Sequence, residues 1–168
     1  MQNRLFILMF SVFAIGAQAQ RFGIVDTDYV LGKIPEYSQA QSQLDNMSKQ
    51  WQGEVEALLS EADALQKSLD AERILLTDEM IAERTKVITD LEQQARNLQR
   101  QYFGPEGELF KKRQELVRPI QDQVYNAVQE VARKKKLDIV FDRASSLTML
   151  YTSDKVDISE DVLIVLGY

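Results

Sequence analysis

The carboxylate pairs are the residues of this chain with the strongest claim to chemistry. Asp26-Thr27-Asp28 has the acid-x-acid spacing of some metal-dependent transferases, and Glu54/Glu56 and Asp78/Glu79 bring further carboxylates close together. Carboxylates alone rarely suffice. The chain has no His and no Cys, so the usual nucleophile-base pairs and imidazole or thiolate metal ligands are unavailable. No glycine-rich phosphate loop accompanies Asp26-Thr27-Asp28. Asp26 or Thr27 therefore reads as the N-cap of a short helix through Ile34. The other pairs read as solvated helix surface, and the Asn46-Met47-Ser48 sequon as a chance match. We expect no enzyme, no catalytic residue, no metal site and no cofactor.

Residues 36–136 carry the pattern of a long helical hairpin, opened by Glu36 after a break at Pro35. The outgoing helix places apolar residues at Leu44, Met47, Trp51, Val55, Leu58, Ala62, Leu65 and Leu69, at spacings of three and four. That is a narrow coiled-coil seam with charged and amide residues on the other faces. The tip is expected near 74–78, with Thr77 capping the return helix and Asp78 and Glu79 favourable in its first turn. The return seam runs through Ile81, Ile88, Leu91, Ala95, Leu98 and Tyr102. A seam this thin buries little, so the far end should be mobile. Gly104-Pro105-Glu106-Gly107 interrupts the return helix. With Gly53 at a similar height on the outgoing helix, Gly53, Gly104 and Pro105 are a candidate hinge. Helix is expected to resume through Val131, with Pro119 inside it and the cations 133–136 closing it.

The two ends of the chain read differently. Residues 22–25, 137–142 and 147–152 are strand-like, with a turn at 143–146. A short final helix is expected over 161–166 with Ser159 as N-cap. The fold class is α+β: a long antiparallel, coiled-coil-like hairpin (36–136) as an arm on a small β-strand body (20–35 and 137–168). So small a sheet is marginal alone. Its run-like apolarity implies that other subunits cover it, through Ile24, Val25, Ile139, Val140, Phe141, Leu147, Met149 and Leu150.

Residues 1–19 have the form of a signal peptide: Arg4, an apolar run at 5–15, then Ala17-Gln18-Ala19 before cleavage. No Cys follows for lipid attachment, so the product should be exported, soluble and free of disulfides. Removing Arg4 leaves 19 basic and 26 acidic residues, a net charge of −7, which argues against nucleic-acid binding. The charge is uneven. Residues 54–92 hold eleven acidic and four basic residues, whereas 96–136 hold ten basic and five acidic. The basic run at 133–136 leaves room for a transient contact with a membrane surface. Trp51, Tyr102 and Phe103 should meet at mid-height of the hairpin, with Phe110 lower. They either pack the seam or form a sticky patch for a bound chain.

With its strand-helix opening (RFGIVDTDYVL), charged hairpin, the stretch LVRPIQDQVYNAVQEVARKKKLDIVFD, the strand LTMLYTSD and the ending VDISEDVLIVL, the chain resembles the Skp/OmpH family of periplasmic chaperones. The resemblance implies a homotrimer with a β-barrel-like body and three helical arms. It implies an ATP-independent holdase in the periplasm whose clients are unfolded outer-membrane β-barrel proteins. The best-known members are strongly basic. This chain has a sequence pI of about 4.8, so neither charge steering of acidic clients nor a lipopolysaccharide site is carried over. The competing expectation is a structural coiled-coil adaptor or spacer in a cell-envelope complex, which would dock one defined partner.

Overall fold

Strong helix formers at coiled-coil spacing give this chain its longest elements. The structure, a computed structural model, describes residues 20–145 and 149–168. The signal-peptide expectation at 1–19 and the site residue Leu147 lie outside the described residues. The chain divides into two units, Ile34–Gln123 and the remainder, which takes in the chain up to Lys33 and Val124–Tyr168.

In the unit 34–123, helix α2 (Pro35–Glu72) and helix α3 (Asp78–Phe103) pack side by side, joined by a 3-10 turn, Arg73–Leu75. Pro35 is itself the first residue of α2 rather than a break before it. A first helical residue has no use for its N–H, and the ring presets φ. At 38 residues, α2 is about 57 Å long. Thr77 caps α3 as expected: its hydroxyl oxygen accepts the Met80 N–H at 3.3 Å. Only part of the expected seam is fully buried. Leu44, Val55, Ala62 and Leu69 on α2 and Ile88 and Ala95 on α3 are buried, with a seven-residue spacing from Val55 to Leu69 and from Ile88 to Ala95, while Met47, Trp51 and Leu58 are half-buried and Leu65 is exposed. Two helices without a third cover only one row of each seam. Ala62, Leu69 and Ile88 form a core cluster, with Leu76, Ile81 and Leu91 packed against it. The Arg84 guanidinium donates to Glu72 at 2.8 Å, which braces α2 and α3 near the turn.

Helix α3 stops at Phe103, and helix α4 (Glu108–Leu116) begins after the glycines. The expected continuous helix beyond this point is in fact two, α4 and helix α5 (Arg118–Lys135), divided at Val117. Pro119 explains the division, since it lacks an N–H and its ring opposes the carbonyl four residues back.

In the other unit, strand β1 (Phe22–Val25) pairs in parallel with strand β2 (Ile139–Asp142), in the register Phe22↔Ile139 to Val25↔Asp142. Parallel pairing is available because a long helical excursion separates the strands. The expected third strand at 147–152 is not formed over its described residues 149–152. The second neighbour of β1 is instead Asp157, which bridges Ile24, and the Ile158 N–H donates to the Ile24 carbonyl at 2.8 Å. Leu150, 96% exposed, and Tyr151 lie in the open, so within one chain residues 149–152 have no ladder to join.

Helix α1 (Thr27–Lys33) and helix α6 (Ser159–Leu166) pack on each other, with Val30 and Val162 fully buried. Ser159 is not the cap of α6. It is the first helical residue, its N–H bonds Asp157, and its buried hydroxyl accepts the Asp26 N–H at 2.9 Å. Gly167 ends α6 in the left-handed region, φ 91°, where an L side chain is disfavoured.

Candidate interaction site

Within Asp26-Thr27-Asp28, Asp26 is the residue that caps helix α1. The Asp26 carboxylate accepts the Tyr29 N–H at 2.9 Å, and the Thr27 N–H and hydroxyl donate to Asp142 at 3.2 and 2.7 Å. Among the described residues, no group of three or more His, Cys, Asp or Glu side chains could hold a metal ion, and no helix is long and apolar enough to cross a membrane. In the basic run 133–136, Lys134 pairs with Glu130 and Lys135 with Asp161, both at 2.6 Å.

The aromatic residues singled out by the sequence assemble into a layered cluster between α2 and the end of α3. Trp51 and Tyr102 stack with centroids 4.8 Å apart and planes within 6°. Phe103 stands nearly perpendicular to both, at 6.5 Å from Trp51 and 6.3 Å from Tyr102. Offset stacking and edge-to-face contacts are the favoured aromatic arrangements. The Tyr102 hydroxyl donates to Glu54 at 2.7 Å, and Gln50 donates to the same carboxylate at 3.1 Å. These bonds, Tyr102 first, hold the Glu54 carboxyl below its ordinary value. The same Glu54 bond, with smaller contributions from burial and charge repulsion, raises the Tyr102 phenol. All three rings stay half-buried. Phe110 lies apart, exposed on α4 in a shallow groove with Arg113, Gln114, Arg118, Gln121 and Asp122.

The three candidate hinge residues have different surroundings. At Gly104 an added Cβ would run into the Arg100 carbonyl oxygen, and at Gly107 it would lie 2.7 Å from that of Tyr102. The Gly107 N–H closes the turn onto the Gly104 carbonyl at 2.9 Å, with exposed Pro105 inside it. A Cβ at Gly53 would meet open space.

Of the residues expected to join subunits, Ile24 and Val25 are buried within their own chain, while Ile139, Phe141 and Leu150 are exposed and Val140 and Met149 half-buried. Phe22, also exposed, meets Phe141 edge-to-face at 6.5 Å. Among the described residues no strand pairs with the outer edge of β2. Sequence reasoning missed the turn residues Ile74 and Leu75, which are exposed. The available signal was an Ile-Leu-Leu run beyond the last seam residue, Leu69, from which only Leu76 turns inward to the core.

Comparison with known proteins adds to this picture. Residues 21–166 match the outer membrane protein (OmpH-like) family. An uncharacterized protein of Aquifex aeolicus (strain VF5) is 30% identical over 142 residues, covering 84% of this chain and 83% of that protein. The crystal structure of an OmpH-like protein from Caulobacter crescentus CB15, proposed to be an outer membrane chaperone, superposes with a TM-score of 0.66. It covers 90% of this chain and 86% of that one, at 14% identity.

Proposed function

The chain belongs to the outer membrane protein (OmpH-like) family, and on that premise we propose that it is an ATP-independent holdase of the periplasm. It binds unfolded outer-membrane β-barrel proteins and keeps them from aggregating on their way to the outer membrane. In this reading residues 1–19 are a removed signal peptide and 36–136 form an arm. Residues 20–35 and 137–168 form a body that joins three copies through the β2 edge and the segment near Leu150.

The observation that carries this reading is the apolar surface left exposed along the hairpin, on the seam at Leu65 and off it elsewhere. Leu59, Leu65, Met80, Val87 and Phe110 remain exposed along helices that are otherwise charged. Exposed apolar side chains scattered along a charged scaffold offer many weak contacts. An unfolded barrel protein exposes alternating apolar strands that would otherwise pair and aggregate. Plural weak contacts sum to firm retention, yet let the client leave without ATP. Preference for the unfolded state follows from what is exposed, since a folded barrel hides its strand edges.

The test is dilution of a urea-unfolded outer-membrane barrel protein into buffer with and without the chain from Gln20 to Tyr168, followed by light scattering. Suppression that saturates near one client per trimer is expected. No suppression at excess, with the oligomer intact, would overturn the reading in favour of a structural adaptor for a folded partner.

A further inference from the structure

The most exposed large apolar side chains at the helical turn are Ile74 and Leu75, at 97% and 85%. They sit side by side on the 3-10 turn that joins α2 to α3. This is not a frayed end. Leu76 packs against the core cluster immediately beneath, Thr77 caps α3, and the Arg84–Glu72 bond braces the two helices. The turn is thus held while two adjacent apolar side chains are presented outward, which is how an interaction surface differs from a scattered surface leucine.

The surroundings of this pair select its partner. Between Asp70 and Arg84 the chain carries five carboxylates (Asp70, Glu72, Asp78, Glu79 and Glu83) and two guanidiniums, one of which is paired with Glu72. A net negative rim repels an anionic lipid surface and attracts Lys and Arg.

We propose that Ile74 and Leu75 form an apolar wedge with an acidic rim that captures unfolded polypeptide segments in which apolar residues are flanked by Lys or Arg. This deepens the holdase reading and rests on it: the turn is a point of client contact separate from the aromatic cluster at Trp51. The apolar pair supplies contact area, and the carboxylates choose among otherwise equivalent apolar segments.

The experiment uses the chain from Gln20 to Tyr168 and two fluorescein-labelled peptides with the same alternating Val/Leu/Phe core, one flanked by Lys and one by Glu. Fluorescence anisotropy should show the Lys-flanked peptide binding about tenfold more tightly at low salt, a difference that shrinks as salt rises. The double variant I74S/L75S should weaken that binding about tenfold, and E79K/E83K should invert the preference between the peptides. Circular dichroism of I74S/L75S should match the parent, because both side chains are exposed. Equal affinity for the two peptides, or unchanged binding by I74S/L75S, overturns the proposal. So does turn-dependent binding to phosphatidylcholine/phosphatidylglycerol vesicles without peptide binding, which would make the wedge a lipid contact. The barrel-protein scattering assay separates the two ideas. Suppression retained by I74S/L75S, together with unchanged peptide binding, defeats the wedge and leaves the holdase. Turn-dependent peptide binding without any suppression defeats the holdase and makes the wedge a docking point for one basic partner.

Discussion

The Tyr102 hydroxyl reaches Glu54 across 2.7 Å while the Tyr102 ring lies 4.8 Å from Trp51 and nearly parallel to it. One residue at the end of α3 therefore grips α2 twice, once through a polar bond and once through a ring face. The grip lies just before the break at Gly104, where the return helix would otherwise be free to diverge.

That double contact predicts a pH signature. Glu54 titrates below its ordinary 4.5 in the folded chain, so its stabilisation is present above that value and is lost as pH falls through the folded value. Tyr102 titrates above its ordinary 10.0, so its stabilisation is complete below 10.0 and is lost as pH rises through the folded value. Y102F should make both flanks of a plot of Tm against pH shallower, the acid one only in part because Gln50 still donates to Glu54, and lower the plateau slightly. Trp51→Ala should cost more, about 2 kcal/mol, because it removes the ring on which both other aromatics pack. Thermal melts followed by circular dichroism from acid to alkali check both. A Y102F profile that keeps its acid and alkaline slopes would show that the bond does not persist in solution.

The glycines should respond in opposite directions. Gly107→Ala drives a Cβ into the Tyr102 and Gln101 carbonyls at 2.7 and 2.8 Å, and should destabilise the chain by roughly 1–3 kcal/mol. Gly53→Ala enters open space inside α2, and should stabilise it by about 0.5–1 kcal/mol through helix propensity. Urea titration of the two variants measures both signs. If Gly53 belongs to a hinge, the same Gly53→Ala variant should narrow the range of client sizes kept soluble.

Self-association through the sheet makes a separate prediction. Ile139 and Phe141 are exposed on β2, and Leu150 lies in the open. Replacing Ile139 and Leu150 with Asp should convert the proposed trimer to a monomer in sedimentation equilibrium, with little loss of helix by circular dichroism. A trimer that survives both replacements would place the subunit contact elsewhere.

Much of the architecture is legible in local order. Spacings of three and four among Leu, Ala, Val and Ile specify the paired helices, and Thr77 marks the start of α3. The glycines at 104 and 107 stop α3 because the turn leaves no room for a Cβ beside the carbonyls of the preceding helix. Trp51, Tyr102 and Phe103 could be brought together by counting residues from the turn, since antiparallel helices fix their own register once the turn is known. Such features depend on neighbours a few residues away, or on one simple pairing.

Only the tertiary structure decided which apolar residues are covered. Periodicity cannot tell that Val55, Ala62 and Leu69 are buried while Leu65 is not, because that depends on how much surface one partner helix can reach. Nor could it give Asp157, rather than residues 149–152, as the second neighbour of β1, or turn the Ser159 hydroxyl from its own helix to the Asp26 amide. Those choices join groups more than a hundred residues apart, where several pairings satisfy the local rules equally and packing selects among them. The outward display of Ile74 and Leu75 above an inward Leu76 is of the same kind: three neighbouring apolar residues in sequence, assigned to opposite sides of a surface by the core that forms beneath them.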